Sequence, residues 1–150
     1  MMGISNAGKT TILNGIIVTK ILSAHKNEFM KKGVLIKHLE KDYPVIRKTR
    51  FKQAKMGKDT IYYFGPEGDI IAIGIKNIHR ILGGTNMDLQ QRHFFYEIDT
   101  NIKFVNDSKL DESLKEKICF IDLLGFFTNN NFEKQGIYAN LMKSCNIILI

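Results

Sequence analysis

Apolar residues along the chain fall into several distinct rhythms. Ile12, Leu13, Ile16, Ile17 and Ile21 recur at the spacing of one helix face, and no proline interrupts the run through Ala24, which predicts a helix. Val34-Leu35-Ile36 and the stretch Val45 to Lys52 read as strands, and the polar turn between them, with Asp42 and Pro44, predicts an antiparallel hairpin. From Asp69 to Leu82, Ile71, Ile75, Ile78 and Leu82 repeat at helical spacing, with Asp69 in the N-cap position and Gly83-Gly84 as the stop. Phe94, Tyr96, Ile98, Thr100, Ile102 and Phe104 alternate with Phe95, Glu97, Asp99, Asn101 and Lys103, the period of an amphipathic strand with one mostly apolar face. Ile118 to Ile121 and Ile147 to Ile150 are unbroken apolar runs, as parallel strands covered on both faces require, and Phe132 to Ser144 supplies a helix between them. The pattern predicts an α/β fold in one domain over residues 1–150, with a mixed, mostly parallel sheet and flanking helices.

Composition narrows this picture. At 150 residues and 44% apolar content the chain builds one core, which excludes a wholly disordered tail. Cys119 and Cys145 sit inside apolar runs, and with no secretory leader ahead of them they read as reduced, buried thiols of a cytoplasmic protein. No apolar stretch approaches the roughly 20 residues of a spanning helix, so any membrane association is expected to be peripheral. His25, His38, His79 and His93 share no metal-ligand spacing with each other or with the cysteines, which argues against zinc. The net charge is +7, and ten basic residues between Lys31 and Lys58 face only Glu40 and Asp42. Such a stretch fits an anionic surface or the blunting of an exposed strand edge, and the second reading is preferred; no nucleic acid partner is expected.

The candidate chemistry lies in the first residues. Gly3-Ile4-Ser5-Asn6-Ala7-Gly8-Lys9-Thr10 fits G-x-x-x-x-G-K-[ST] at every constrained position and opens onto the helical pattern. Glycines at both ends of such a loop let backbone N–H groups close around phosphate oxygens, and the start of the helix adds its positive dipole end. Lys9 would bridge the β- and γ-phosphates, and the Thr10 hydroxyl would ligate Mg²⁺. Thr11 completes the cofactor-binding segment Gly3, Ile4, Ser5, Asn6, Ala7, Gly8, Lys9, Thr10 and Thr11. A second anchor is expected at the end of a neighbouring strand, and Asp122-Leu123-Leu124-Gly125 matches D-x-x-G directly after an apolar run. Asp122 is the expected second metal anchor beside Thr10, and the Gly125 amide the expected γ-phosphate contact.

Gly3-x-x-Asn6-x-Gly8-Lys9-Thr10-Thr11-x-Leu13-Asn14 resembles the phosphate loop and first helix of translation-factor-class P-loop GTPases. The spacing of 113 positions from Lys9 to Asp122 suits the G domain of a dynamin-like large GTPase better than a small Ras-like protein, and Asn27-Glu28 followed by Lys31-Lys32-Gly33 also resembles that group. The resemblance implies a G domain that binds GTP and GDP with Mg²⁺ and hydrolyses GTP, acting as a mechanical or switching enzyme. It also implies self-association through the nucleotide face and peripheral membrane contact through regions outside this chain. Lys9 and Ser5 are the catalytic positions it assigns. Only Met1 and Met2 precede Gly3, and the last apolar run stops without a turn, so the domain reads as lacking its first strand and its C-terminal part.

Three positions depart from the pattern. Met30 stands where a switch threonine would cap Mg²⁺, Leu124 replaces the proline of D-x-P-G, and Ser5 occupies a position often held by glutamine that orients water. These departures set binding ahead of hydrolysis and keep two alternatives open, a hydrolysis-deficient nucleotide-binding regulator and an ATP-using P-loop protein. Ser108-Lys109-Leu110-Asp111 imitates the base-specificity motif but precedes Asp122, the wrong order, and reads as a surface turn opening a short helix around Leu114. Phe126 and Phe127 fit either a partner contact or a buried docking role.

Overall fold

The computed structural model describes residues 8–17, 21–22, 33–65, 68–82 and 94–122. Gly3 to Ala7, Met30, and everything from Leu123 onward, including Gly125, Phe126, Phe127 and Cys145, lie outside the described residues. In chain order the elements are α1 (Lys9–Ile17), β1 (Val34–His38), β2 (Val45–Met56), β3 (Asp59–Phe64), β4 (Ile70–Ile73), α2 (Ile75–Leu82), β5 (Phe94–Thr100), α3 (Lys103–Asn106), α4 (Glu112–Lys115) and β6 (Cys119–Asp122). The strands form one sheet in the order β3-β2-β5-β1-β6, with β4 paired to β2.

The expected hairpin does not form. β1 and β2 lie on opposite sides of β5, with β1 parallel to it and β2 antiparallel. Charge gives the reason. Glu97 and Asp99 of β5 are 1% and 2% exposed, and each takes a cation from a different neighbour: Lys37 Nζ on β1 lies 2.9 Å from Glu97 Oε1, and Arg47 Nε on β2 lies 3.2 Å from Asp99 Oδ2. With β1 paired directly to β2, β5 could border only one of them, so one of the two carboxylates would lose its cation, a costly arrangement where it stays buried. The alternation in β5 is therefore not that of a half-solvated strand: residues 95–100 are buried on both faces.

Nor is the sheet mostly parallel. Among the described residues β1–β5 is parallel, while β1–β6, β2–β3, β2–β4 and β2–β5 are antiparallel. The run 118–121 expected as a parallel strand becomes β6, antiparallel to β1, because the short return through α3 and α4 brings the chain back at the same end of the sheet. Cys119 at its start is exposed rather than buried.

The helix expected from Asp69 starts late. Ile70–Ile73 pairs with β2, Gly74 turns at φ 86°, and its N–H donates to Pro44 O at 2.8 Å. Helix α2 follows, with Ile78 and Leu82 facing the core, so Asp69 is not its cap. The four-residue β4 breaks a periodicity that reads as continuous in sequence.

One sheet face and the helices share the core. Leu13 and Ile17 of α1, Ile78 and Leu82 of α2, and Ile21 and Leu22 pack with Val34, Ile36, Ile46, Tyr96 and Ile98, and Ile102 and Val105 close the cluster. Ile21 is in this core as expected, but it lies after α1, whose helix ends at Ile17. Ile12 is 52% exposed, on the outer side of the helix. At the start of β1, a Cβ on Gly33 would come 2.3 Å from Phe95 Cε1, so the ring is seated against bare backbone, and Gly33 O accepts from Tyr96 N–H at 3.1 Å. The 108–111 segment is the expected surface turn, and Asp111 stands at the N-cap position of α4, where its backbone carbonyl accepts from Lys115 N–H at 3.0 Å and its side chain makes no capping bond.

Candidate functional site

Helix α1 opens at Gly8, whose φ of 77° lies where glycine is favoured, and Gly8 O accepts the first helical bond from Ile12 N–H at 3.0 Å. The helix start therefore has the backbone turn that the G-K-T sequence requires, with Lys9 and Thr10 as its first two residues. Residues 10, 13, 14 and 17 form one stripe by helical spacing. Leu13 and Ile17 of that stripe are buried, Thr10 and Asn14 are half-buried, and Thr11 on the other side is exposed.

Strand β6 brings Asp122 to the same place. Asp122 is opposite Val34 in the β1–β6 ladder, which puts it on the sheet face that α1 covers, and its side chain is 2% exposed. Thr10 Oγ1 donates to Asp122 Oδ2 at 3.2 Å, across 112 positions of sequence. A buried carboxylate beside a helix-start hydroxyl is a set of hard oxygen donors, the kind Mg²⁺ prefers. The two residues expected to anchor a metal are thus adjacent. Lys9 lies at the first helical position next to them, while Gly3, Ile4, Ser5, Asn6, Ala7 and Gly125 fall outside the described residues.

Two features were missed by sequence reasoning. Asn14 Nδ2 donates to Leu22 O at 2.7 Å and Asn14 Oδ1 accepts from Leu22 N–H at 2.9 Å, so one side-chain amide holds both polar groups of one residue. The signal was a polar residue on an otherwise apolar helical stripe. The second is His38, buried at the end of β1, whose Nδ1 accepts from Ile102 N–H at 3.1 Å. Burial, and then the nearby Lys115 ammonium, hold its pKa below the ordinary value, so the ring is neutral with its proton on Nε2. Lys115 Nζ in turn donates to Asn106 O at 3.1 Å and to Glu112 Oε1 at 2.8 Å.

No family model matches the chain. No curated protein matches it either. Among solved structures it is similar to a chain of an oligomerised bacterial dynamin pair that provides a mechanism for the long-range sensing and tethering of membranes, at a TM-score of 0.50 and 15% identity over 92% of this chain. This chain spans 18% of the length of that one. At that identity the likeness concerns the fold: a mixed α/β sheet with flanking helices, compatible with a P-loop domain.

Proposed function

We propose that this chain is the phosphate-binding part of a dynamin-like GTPase, binding GTP with Mg²⁺ and hydrolysing its γ-phosphate. The observation that carries the reading is the Thr10–Asp122 hydrogen bond, which joins the end of a G-x-x-x-x-G-K-T segment to a buried strand-end carboxylate 112 residues away. Loop amides from Gly3 to Gly8 would surround the phosphates, Lys9 would bridge β- and γ-oxygens, and Thr10 and Asp122 would hold the cation, directly or through water. Bound there, Mg²⁺ supplies charge neutralisation for the transferring oxygens. The same reading includes a cytoplasmic setting, self-association through the nucleotide face and peripheral membrane contact, in line with the oligomerised, membrane-tethering bacterial dynamin it is similar to.

Binding of fluorescent GTP and ATP analogues with and without Mg²⁺, together with phosphate release, tests it. The expected outcome is Mg²⁺-dependent binding that prefers GTP and weakens on the order of 100-fold in Lys9→Ala, the loss of two or so charge-assisted hydrogen bonds. Equal displacement by ATP would move the chain to the ATP-using class. Met30, Leu124 and Ser5 favour a second reading, a nucleotide-binding regulator. Tight GTP binding with no phosphate release would select it.

A further inference from the structure

Thr10 and Asn14 are one helical turn apart on the sheet-facing stripe of α1, which also carries buried Leu13 and Ile17. A polar side chain on such a stripe is unfavourable unless its groups are satisfied. Asn14 satisfies both of its groups on one residue, taking the N–H and the C=O of Leu22 at 2.9 and 2.7 Å. Two parallel bonds to a single residue fix direction as well as distance, which one bond cannot. Leu22 is itself anchored: its side chain is 1% exposed and sits in the same cluster as Leu13 and Ile17. The clamp therefore ties the sheet-facing stripe of α1 to a point that is fixed in the core.

Thr10 needs such a tie. Its bond to Asp122 is 3.2 Å, long for O–H···O, so a small rotation or slide of α1 would break it. Leu13 and Ile17 resist separation from the sheet, but apolar contacts are non-directional and permit sliding. We propose that Asn14 is a positioning residue for the metal-holding pair: its amide clamp on Leu22 sets the rotation of α1 that keeps the Thr10 hydroxyl against the Asp122 carboxylate. The inference rests on the phosphate-site reading above.

The test titrates Mg²⁺ against binding of a fluorescent GTP analogue to the full chain. Three variants are compared with the unchanged protein: Asn14→Leu, which removes both bonds; Asn14→Asp, which keeps only the acceptor; and Ile17→Val, a loss of apolar packing on the same stripe. Melting temperatures are measured alongside. Asn14→Leu is expected to raise the half-saturating Mg²⁺ concentration about tenfold, in line with the loss of a partner that orients a metal-holding group. Ile17→Val is expected to lower the melting temperature with the Mg²⁺ midpoint unchanged. Asn14 variants that lose thermal stability while keeping the native midpoint would overturn the proposal, as would a midpoint that moves equally in Ile17→Val. Should Asn14→Leu fail to fold, Asn14→Asp is judged by the same two criteria. Absence of Mg²⁺-dependent binding in the unchanged protein would sink the phosphate-site reading and this one with it. Normal binding there with unmoved Asn14 variants would sink this one alone.

Discussion

The two faces of the central sheet solve the same burial problem with different chemistry. On the face toward the helices, Val34, Ile36, Ile46, Tyr96 and Ile98 pack against α1 and α2. On the other, buried Leu35, Val45 and Phe95 alternate with Glu97, Asp99 and Thr49, and the Thr49 hydroxyl has no hydrogen-bond partner among the described residues. There the acids are matched by cations on neighbouring strands, offset diagonally: Lys37 is level with Asp99 but pairs with Glu97, and Arg47 is level with Glu97 but pairs with Asp99. The apolar face gains by area removed from water, and a shift of two residues, which keeps each side chain on its side, changes that little. The charged face gains only when register is right, so it selects which strands are neighbours. The Thr10–Asp122 pair belongs to the first face, since Asp122 lies opposite Val34 and meets Thr10 from there.

That contrast can be broken at either face. Ile98→Ala removes a fully buried side chain at the centre of the helix-facing layer and is expected to cost about 4 kcal/mol in urea unfolding. Next is Arg47→Met, which leaves Asp99 buried without its cation and is expected to cost about 3 kcal/mol. Adding Asp99→Leu should restore most of that loss. If Arg47→Met proves harmless in the same unfolding experiment, the second face is not electrostatically specified and the contrast fails. The smallest effect concerns His38, a titratable group on the helix-facing side. Its folded pKa is lowered, so the unfolded chain takes up the proton first. The associated stability is present above pH about 6.5 and is lost as pH falls from there toward the folded value. Melting temperature should decline across that window, and the decline should flatten in His38→Asn, which keeps an acceptor near the Nδ1 position and does not titrate.

In the candidate site, the meeting of Thr10 with Asp122 was legible because its signals are local. The G-K-T segment carries its own glycine turn and helix start, and Asp122 follows an apolar run that forms a strand. Strand neighbours were not legible, because pairing depends on residues far apart: Val34-Leu35-Ile36 and the Val45 run look like a hairpin until Glu97 and Asp99 are known to be buried. Polar positions in β5 were read as a wet face since alternation records side, not solvent. Lys37 and Arg47 carried the missing signal, as cations within strands that face those acids. The boundary of α2 was misplaced because Ile71 and Ile75 fit helical spacing even though Gly74 separates a strand from a helix. Asn14 was read only as part of the GTPase-like segment, and its clamp on Leu22 was not legible because a single amide on the stripe has no periodic signature.

The insertion of β5 between β1 and β2 has a consequence for how the molecule is made. Val34 must wait for Tyr96 on one side and Asp122 on the other before its strand is bordered by both neighbours seen in the finished sheet. As the polypeptide leaves the ribosome from its amino end, α1 and β1 emerge before β5 and β6. Such distant pairings make assembly slow and leave apolar edges bare in the interim. Thr10 meets the Asp122 carboxylate only after more than a hundred further residues have been added, so their hydrogen bond cannot form while the first helix is being made.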